Sequence, residues 1–367
     1  MGSFVLVVGA RPNFVKAAPI LEALRGRVQC DLVHTGQHYD SNMSGVFFEE
    51  LGIRSPDVHL DVGSASHGVQ TGKIMVAFDE YLAERAAPDA VIVVGDVNST
   101  MACALVARKR GIPVVHLEAG LRSFDRAMPE EVNRIVTDAI SDLLLVTEPS
   151  GLDNLANEGI SADRIRYVGN VMIDTLVKQL PAARALDVCG HWQLQRGEYA
   201  IVTMHRPSNV DDEQRLAAVV GFLERVAARI PLIFPVHPRT KARLAATGLA
   251  KRVAETPGLR TCGPLGYREF LGLVDASRVV LTDSGGIQEE TSFLGIPCIT
   301  LRTTTERPVT VTSGTNVLVG DDLDAAWRCL DDILASGGKR ATPIRGWDGR
   351  AAERVVDALR ACQPDLH

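Results

Sequence analysis

The chain has 367 residues, of which 46% are hydrophobic and 23% are charged, and its formal net charge is −6. This length and composition predict a globular protein with two domains of about 150–200 residues each. The mildly acidic balance argues against nucleic acid and anionic membranes as partners, because both are bound by basic surfaces.

Short apolar runs alternate with helix-period segments along the whole chain, and they are continuous, as in strands that helices cover on both faces. In the first half these predicted strands are residues 4–8, 30–35, 90–94, 113–117, 143–146 and 165–168. In the second half they are residues 199–203, 232–236, 259–262, 279–282, 298–301 and 317–319. This order predicts an α/β fold with two doubly wound, Rossmann-like domains.

The predicted domain boundary lies in a stretch that holds a helix, Pro181 and several small residues. We expect residues 1–170 to form the first domain, residues 171–195 a linker helix and connection, and residues 196–347 the second domain. Residues 348–367 include an amphipathic stretch, which we expect to form a helix that packs back on the first domain.

The cysteines and the N-terminus indicate the compartment. Seven scattered cysteines without a C-x-x-C pair argue against a zinc site or a disulfide framework and favour reduced thiols. The N-terminus has no signal-peptide pattern, and no apolar run approaches the ~18 residues of a membrane span. We therefore expect a cytoplasmic protein without a bound metal.

Polar residues that are unusual beside buried strands follow several of the predicted strands. In open parallel sheets, ligands bind beyond the carboxyl ends of the strands, where loops lead into helices. The five polar blocks, in chain order, are residues 9–16, 95–98, 118–120, 205–206 and 283–286. We expect them to lie on the facing edges of two sheets and to form one site between the domains.

Two cations, Arg11 and Lys16, flank the start of the first predicted helix. We expect this helix to begin near Phe14 or Val15, because Pro19 is tolerated only in a first turn. The unpaired N–H groups of such a start suit an anion. The alternative interpretation is a solvated, basic helix start.

Three carboxylates, Asp96, Glu118 and Glu130, are the candidate proton carriers. Asp96 and Glu118 stand at predicted strand ends, where a cleft can desolvate them and raise their pKa values towards those useful in acid–base catalysis. Glu130 follows Pro129 and opens a predicted helix over residues 130–140. A favourable interaction with the helix dipole is the structural alternative for Glu130.

The clearest phosphate site follows the predicted strand 279–282. Ser284 can cap a helix, Gly285 and Gly286 permit close approach of a ligand, and the helix is expected to begin at Ile287. Backbone N–H groups at such a helix start suit a phosphate. A glycine-rich capped turn that binds no ligand is the alternative.

One histidine and one arginine are further candidates. His205 follows a strand, although a lone histidine is more often structural, a description that fits His116 and His237 better. Arg307 lies in a polar loop, for which a surface location is the commoner explanation. The chain lacks a G-x-G-x-x-G after its first strand, which argues against a nicotinamide dehydrogenase. It also lacks a complete P-loop, a G-x-S-x-G and an H-E-x-x-H.

Taken together, these motifs resemble those of the non-hydrolysing UDP-N-acetylglucosamine 2-epimerases over nearly the whole chain. The resemblance implies a GT-B-like fold, with two Rossmann-like domains around an interdomain cleft, and a homodimer. The matching segments are residues 9–16, 35–38, 95–96, 116–122, 129–134, 205–206, 235–238, 282–290 and 304–308.

The resemblance also implies a mechanism that needs no metal or cofactor. UDP leaves by anti elimination as the C2 proton is removed, which gives a 2-acetamidoglucal, and UDP then adds back after protonation on the opposite face. Asp96, Glu118 and Glu130 are the implied acid–base carboxylates. The implied ligand-binding residues are His205 (also catalytic), Arg11 and Lys16 for the diphosphate, Ser284, Gly285 and Gly286 for phosphate, Glu290 for ribose, Phe270 for the uracil region and Arg307 for the sugar side.

Two segments depart from the family pattern. Residues 37–43 differ from the bacterial Gln-His-Arg-Glu-Met-Leu, which puts allosteric activation by substrate in doubt, and Pro12-Asn13-Phe14 replaces Pro-Glu-Ala.

We predict reversible conversion of UDP-GlcNAc to UDP-ManNAc for polysaccharide biosynthesis. The alternatives are an epimerase for a modified UDP-HexNAc such as a 2,3-diacetamido uronic acid, a hydrolysing epimerase, and a GT-B glycosyltransferase.

Overall fold

The structure, a computed structural model, describes residues 2–36 and 50–362, apart from the side chains of Arg11 and Cys362. The chain divides into two compact units. Unit 1 comprises Met1–Lys178 and Arg345–His367, and unit 2 comprises Gln179–Ile344. Each unit contains one parallel β-sheet with helices, as the order of apolar runs predicted.

Unit 1 contains a seven-stranded parallel sheet in the order β3-β2-β1-β4-β5-β6-β7. Its strands are β1 Ser3–Val8, β2 Gln29–His34, β3 Val58–His59, β4 Ala90–Val94, β5 Val114–Ala119, β6 Leu143–Val146 and β7 Ile165–Tyr167. Its helices are α1 Arg11–Leu24, α2 His67–Ala83, α3 Asn98–Lys109, α4 Pro129–Ile140, α5 Pro149–Asn157 and a short 3₁₀ turn, Ala162–Arg164. Helix α6, Val171–Ala185, begins in unit 1 and ends in unit 2.

Unit 2 contains a six-stranded parallel sheet in the order β10-β9-β8-β11-β12-β13. Its strands are β8 Ala200–Thr203, β9 Leu232–Pro235, β10 Leu259–Cys262, β11 Val279–Thr282, β12 Cys298–Thr300 and β13 Asn316–Leu318. Its helices are α7 Val188–Trp192, α8 Pro207–Val210, α9 Glu213–Arg229, α10 Pro238–Ala246, α11 Ala250–Glu255, α12 Tyr267–Ala276, α13 Gly285–Leu294, α14 Pro308–Thr312 and α15 Leu323–Ser336. The last helix of the chain, α16 Ala351–Cys362, belongs to unit 1.

The twelve predicted strands all form, because each is a short apolar run that the helices cover. The central strand β4 is buried at every position, and its Val91 and Val93 pack with Phe78 of α2 in the core of unit 1. One strand was missed. β3 has only two residues, Val58 and His59, which are not fully buried and pair with the edge of the sheet. No continuous apolar run in the sequence therefore indicates this strand.

The start of α1 corrects the prediction from Pro19. The helix begins at Arg11, and Pro19 lies inside it. A proline inside a helix cannot donate to the carbonyl four residues earlier, here that of Val15. The hydroxyl of Thr175 donates to this carbonyl at 2.6 Å instead, so the missing hydrogen bond is replaced from α6. Lys16 therefore lies in the second turn of the helix and does not flank its start.

The C-terminal segment is fixed to unit 1 by polar contacts. The carboxylate of Asp174 accepts hydrogen bonds from the backbone of Ala351 and Ala352, at 3.0 and 2.7 Å, at the start of α16. Trp347 is buried and its indole N–H donates to the carbonyl of Thr147. Among the described residues, no helix is both long and apolar enough to cross a membrane.

Candidate active site

Both sheets reverse their strand order at one place, and four of the five predicted polar blocks lie there. In unit 1 the order changes between β1 and β4, and in unit 2 it changes between β8 and β11. The loops that follow such a pair of strands diverge to opposite faces of the sheet and leave a crevice for a ligand. Residues 9–16 and 95–98 adjoin the first crevice, and residues 205–206 and 283–286 adjoin the second.

In unit 1, Glu118 and Lys16 meet beside Gly95. The carboxylate of Glu118 contacts the ammonium of Lys16, and both side chains are less than a tenth exposed. A methyl group on Gly95 would lie 3.2 Å from Glu118 Oε2 and 3.3 Å from Lys16 Nζ, and its φ of 69° also favours glycine. Glycine at this position therefore allows a buried ion pair directly next to Asp96.

The backbone of Glu118 is strained. The prediction ended this strand at Leu117, but β5 continues to Ala119, and its register shifts between these two residues. Glu118 has a φ of 75°, in the left-handed region that non-glycine residues rarely adopt. Such strain, of order 1–3 kcal/mol, is typical of functional sites. The residue at this irregularity is the one whose carboxylate meets Lys16.

The carboxylate of Asp96 is held from helix α4. Arg134 Nη2 lies 2.6 Å from Asp96 Oδ2, and Asn133 Nδ2 donates to the Asp96 carbonyl at 2.9 Å. Arg134 is 2% exposed, whereas the side chain of Asp96 keeps 27% exposure. Asp96 is thus oriented by a buried cation and still open on one side. Glu130, half-buried in the first turn of α4, lies four residues before Arg134 and so on the same helix face.

A buried network below these residues ties the two strand ends together. His116 Nδ1 lies 2.6 Å from Asp138, and its Nε2 lies 2.8 Å from the carbonyl of Gly95. The other oxygen of Asp138 accepts from the backbone of Gly120 at 3.0 Å and pairs with Arg122 at 2.7 Å. Burial raises the pKa of Asp138, but His116 and Arg122 outweigh it and leave this pKa below its usual value. Both ring nitrogens of His116 therefore have partners inside the fold.

The start of α1 is organised by Asn13. Its side-chain oxygen accepts from the backbone N–H groups of Gly9 and Ala10, at 3.1 and 3.0 Å, and its amide donates to the carbonyl of Val94. This residue, which stands where the resembled family has glutamate, therefore links the ends of β1 and β4. The side chain of Arg11 and residues 37–43 lie outside the described residues.

In unit 2, Asp283 joins the ends of β8 and β11. Its carboxylate accepts from the backbone of His205 at 3.0 Å and of Arg206 at 2.9 Å, and His205 Nδ1 lies 2.9 Å from it. Burial raises the pKa of Asp283, but the hydrogen bonds from His205 and the backbone outweigh it, so this pKa is lowered. The side chain of His205 is fixed and one-third exposed. His237 caps α10 by accepting from the Arg239 amide.

The predicted phosphate site lies at the start of α13, two residues earlier than expected. The helix begins at Gly285, and Ser284 is the capping residue by position, although its side chain makes no capping hydrogen bond in the structure as described. The predicted serine cap is therefore not formed. A methyl group on Gly285 would lie 2.5 Å from Glu306 Oε1, so the helix start and Glu306 approach closely.

A buried chain of alternating charges backs this helix start. Arg302 pairs with Glu306, Glu306 with Arg307, and Arg307 with Glu289, each at 2.8 Å. Arg307 is only 5% exposed, in contrast to the surface location that its polar loop suggested. The loop after β12 is thereby fixed to the second turn of α13.

Two further predicted residues lie close to this region of unit 2. Glu290 of α13 is buried and accepts a hydrogen bond from the hydroxyl of Tyr267 at 3.0 Å. Burial, together with this carboxylate, raises the pKa of Tyr267. Phe270 is half-buried on α12 and packs against the apolar cluster that contains Ile201 and Ile233.

In unit 1 the structure pairs Lys16 with Glu118 beside Gly95, and it pairs the next residue, Asp96, with Arg134. In unit 2 it places His205 on Asp283, directly before the segment that starts α13. Sequence reasoning missed the buried partners Arg134, Asp138 and Tyr267. Asp138 and Arg134 lie on α4 in the periodic pattern of its buried face, which was a usable signal. Within the described residues, no group of three or more His, Cys, Asp or Glu side chains could hold a metal.

Comparison with known proteins agrees with these features. The family model for UDP-N-acetylglucosamine 2-epimerase matches residues 22–360. A UDP-N-acetylglucosamine 2-epimerase of Methanocaldococcus jannaschii is 40% identical, over 96% of this chain and 98% of the relative. A UDP-2,3-diacetamido-2,3-dideoxy-D-glucuronate 2-epimerase of Pseudomonas aeruginosa is 42% identical, over 96% of this chain and 98% of the relative.

Solved structures lead to the same assignment. The crystal structure of the Methanocaldococcus jannaschii UDP-GlcNAc 2-epimerase in complex with UDP-GlcNAc and UDP matches with a TM-score of 0.91 at 39% identity. The match covers 98% of this chain and 99% of that chain, so the two α/β units are those of a GT-B-like fold. The chain belongs to the UDP-N-acetylglucosamine 2-epimerase family of isomerases.

Proposed function

We propose that this enzyme interconverts UDP-GlcNAc and UDP-ManNAc by inverting C2. In this reaction a carboxylate removes the C2 proton while the C1–O bond to UDP breaks, which leaves 2-acetamidoglucal and UDP. A second carboxyl group delivers a proton to the opposite face of C2, and UDP re-forms the bond to C1. The elimination and the re-addition are both redox-neutral, so the reaction consumes no oxidant or reductant.

The observation that carries this proposal is the pair of cation-bound carboxylates at neighbouring strand ends. Asp96 on Arg134 and Glu118 on Lys16 flank Gly95, and both cations are buried. Carboxyl groups can take up and deliver a proton at C2, and the cations hold these two in place. Glu130, on the helix that carries Arg134, is the third proposed acid–base group.

We propose that the nucleotide binds to unit 2. The N–H groups at the start of α13, with Ser284, Gly285 and Gly286, suit a phosphate. Asp283, which directly precedes Ser284, holds the side chain of His205. His205, Arg11 and Lys16 would stabilise the negative charge that grows on the departing diphosphate. In the same proposal Glu290 contacts the ribose, Phe270 the uracil region and Arg307 the sugar side.

A modified sugar is the second candidate substrate. The Pseudomonas aeruginosa relative, at 42% identity, is named for a 2,3-diacetamido uronic acid, whereas the Methanocaldococcus jannaschii relative, at 40%, is named for UDP-GlcNAc. Because the two sequence identities are nearly equal, both sugars are candidate substrates.

We also propose a cytoplasmic location, a homodimer, a cleft between the domains and a role in polysaccharide biosynthesis.

The product identifies the reaction. Purified enzyme is incubated with UDP-GlcNAc, and separately with UDP-2,3-diacetamido-glucuronate, and the products are identified by NMR. The proposal predicts a mixture of UDP-GlcNAc and UDP-ManNAc with UDP still attached. Free ManNAc and UDP would indicate a hydrolysing epimerase, and a reaction that requires an acceptor would indicate a glycosyltransferase. Turnover of the diacetamido compound alone would move the assignment to the modified sugar.

A further inference from the structure

Phe124 is an exposed aromatic residue with a strained backbone. It lies in the loop between β5 and α4, the residue is 79% exposed, and its φ is 59°. A bulky residue in the left-handed region is unfavourable, and an exposed phenyl ring loses the free energy of burial. Neither local structure nor packing of the core accounts for a phenylalanine here.

The loop that carries Phe124 is anchored by a buried carboxylate. Glu131, 1% exposed, accepts three hydrogen bonds of 2.9 Å, from the backbone of Phe124 and from the backbone and hydroxyl of Ser123. Burial raises the pKa of Glu131, but the bonds from Ser123, Arg134 and Phe124 outweigh it and lower this pKa. The strained conformation is therefore maintained by the buried interior.

The same buried arginine holds this anchor and the candidate catalytic acid. Arg134 Nη1 lies 2.7 Å from Glu131, and its Nη2 lies 2.6 Å from Asp96. The guanidinium plane is rigid, so the two carboxylates are fixed relative to each other. The backbone of Phe124 is thus held by a carboxylate that shares its arginine with Asp96, and its loop leads directly into the helix of Glu130.

We propose that Phe124 is a specificity-determining residue whose ring packs against the apolar C–H surface of the 2-acetamido sugar that binds at Asp96. This inference rests on the proposed function, since it needs a sugar at that carboxylate. A phenyl ring has no hydrogen-bonding atom for a phosphate or hydroxyl, whereas the carbon-bound hydrogens of a sugar ring and the acetamido methyl offer apolar surface. Binding of the sugar then buries the exposed ring, which gains the free energy that exposure to water withholds.

The test is a set of substitutions at this position, assayed with UDP-GlcNAc. Phe124→Ala removes the ring, and we expect KM to rise about three- to tenfold with little change in kcat. Phe124→Tyr keeps the ring and should restore KM. Phe124→Gly should raise KM in the same way without lowering the thermal midpoint, because glycine adopts this φ readily. Val76→Ala, at a 60% exposed valine on α2, is the matched control.

The outcomes separate this inference from the proposed function. If the wild-type enzyme epimerises UDP-GlcNAc but Phe124→Ala and Phe124→Gly keep its KM, the inference is overturned. A change in oligomeric state with an unchanged KM would also overturn it and would assign the ring to a contact between copies of the chain. If the wild-type enzyme turns over no 2-acetamido UDP-sugar, the proposed function is wrong, and the inference that rests on it is wrong as well.

Discussion

At the scale of single residues, Lys16 and Arg134 determine the chemistry that we assign to Glu118 and Asp96. Each is a buried cation bound to one of these carboxylates, and a buried charge is tolerated only when it is paired. From the sequence, the two acids could be predicted as candidates, but the cation that pairs with each could not. The acids follow apolar strands and stand out, whereas Arg134 comes from a helix whose position beside Asp96 depends on tertiary packing.

Asp96→Asn and Glu118→Gln test this assignment. Both substitutions keep the shape of the side chain but remove the carboxylate, and general acid–base catalysis contributes about 10²–10⁴-fold to a rate. We expect each variant to retain UDP binding by calorimetry and to lose at least about a hundredfold in turnover. Asp79→Asn, at an exposed ion pair with Arg110, should keep its turnover. Near-normal rates in both test variants would refute the assignment.

His34 makes the stability of the fold depend on pH. It is 6% exposed, and burial, together with His59, lowers its pKa to about 4, whereas an unfolded histidine titrates near 6.5. Below pH 6.5 the unfolded chain therefore binds a proton that the native state does not. The free energy of unfolding should fall as the pH decreases from about 6.5 to 4, by up to about 3 kcal/mol from this group.

Urea denaturation across this pH range measures the effect of His34. In His34→Gln the decrease in unfolding free energy between pH 6.5 and 4 should be smaller by about the same amount. His191→Gln, at an exposed histidine, should retain the full decrease. Identical pH profiles for the wild type and His34→Gln would show that burial of His34 does not contribute.

At the scale of elements, the existence of the strands was predictable and the helix starts were not. Pro19 argued for a late start of α1, but the hydroxyl of Thr175 replaces the missing hydrogen bond to Val15, a contact between residues 160 positions apart. Gly285 and Gly286 read as a loop, yet they form the first turn of α13. In α1 a tertiary contact thus overrode a local sequence rule.

Gly285→Ala tests the proposed phosphate site at the start of α13. The added methyl group would lie 2.5 Å from Glu306 Oε1 and 3.1 Å from Arg307, so this charge network must shift. Such overpacking destabilises by about 1–3 kcal/mol, and we expect UDP affinity to fall about tenfold. Gly72→Ala on α2 meets no atom within 4 Å and should raise stability by up to about 1 kcal/mol. Unchanged UDP affinity in Gly285→Ala would place the phosphate elsewhere.

At the scale of the whole molecule, the two units differ in sequence, but each contains a parallel sheet with one reversal of strand order. Each has its candidate residues where the strand order reverses, beside β1 and β4 in unit 1 and beside β8 and β11 in unit 2. The alternation of apolar runs predicts parallel sheets, and parallel sheets place loops at one edge. The order of strands cannot be read from such runs, because buried parallel strands have similar apolar patterns.

The most direct measurement for the central claim is isotope exchange at C2. The enzyme is incubated with UDP-GlcNAc in D₂O, and C2 is followed by NMR. Our account predicts that deuterium accumulates at C2 of both UDP-GlcNAc and UDP-ManNAc while UDP stays attached, and that Asp96→Asn slows this exchange. Conversion of one sugar into the other without deuterium at C2 would contradict proton removal by these carboxylates.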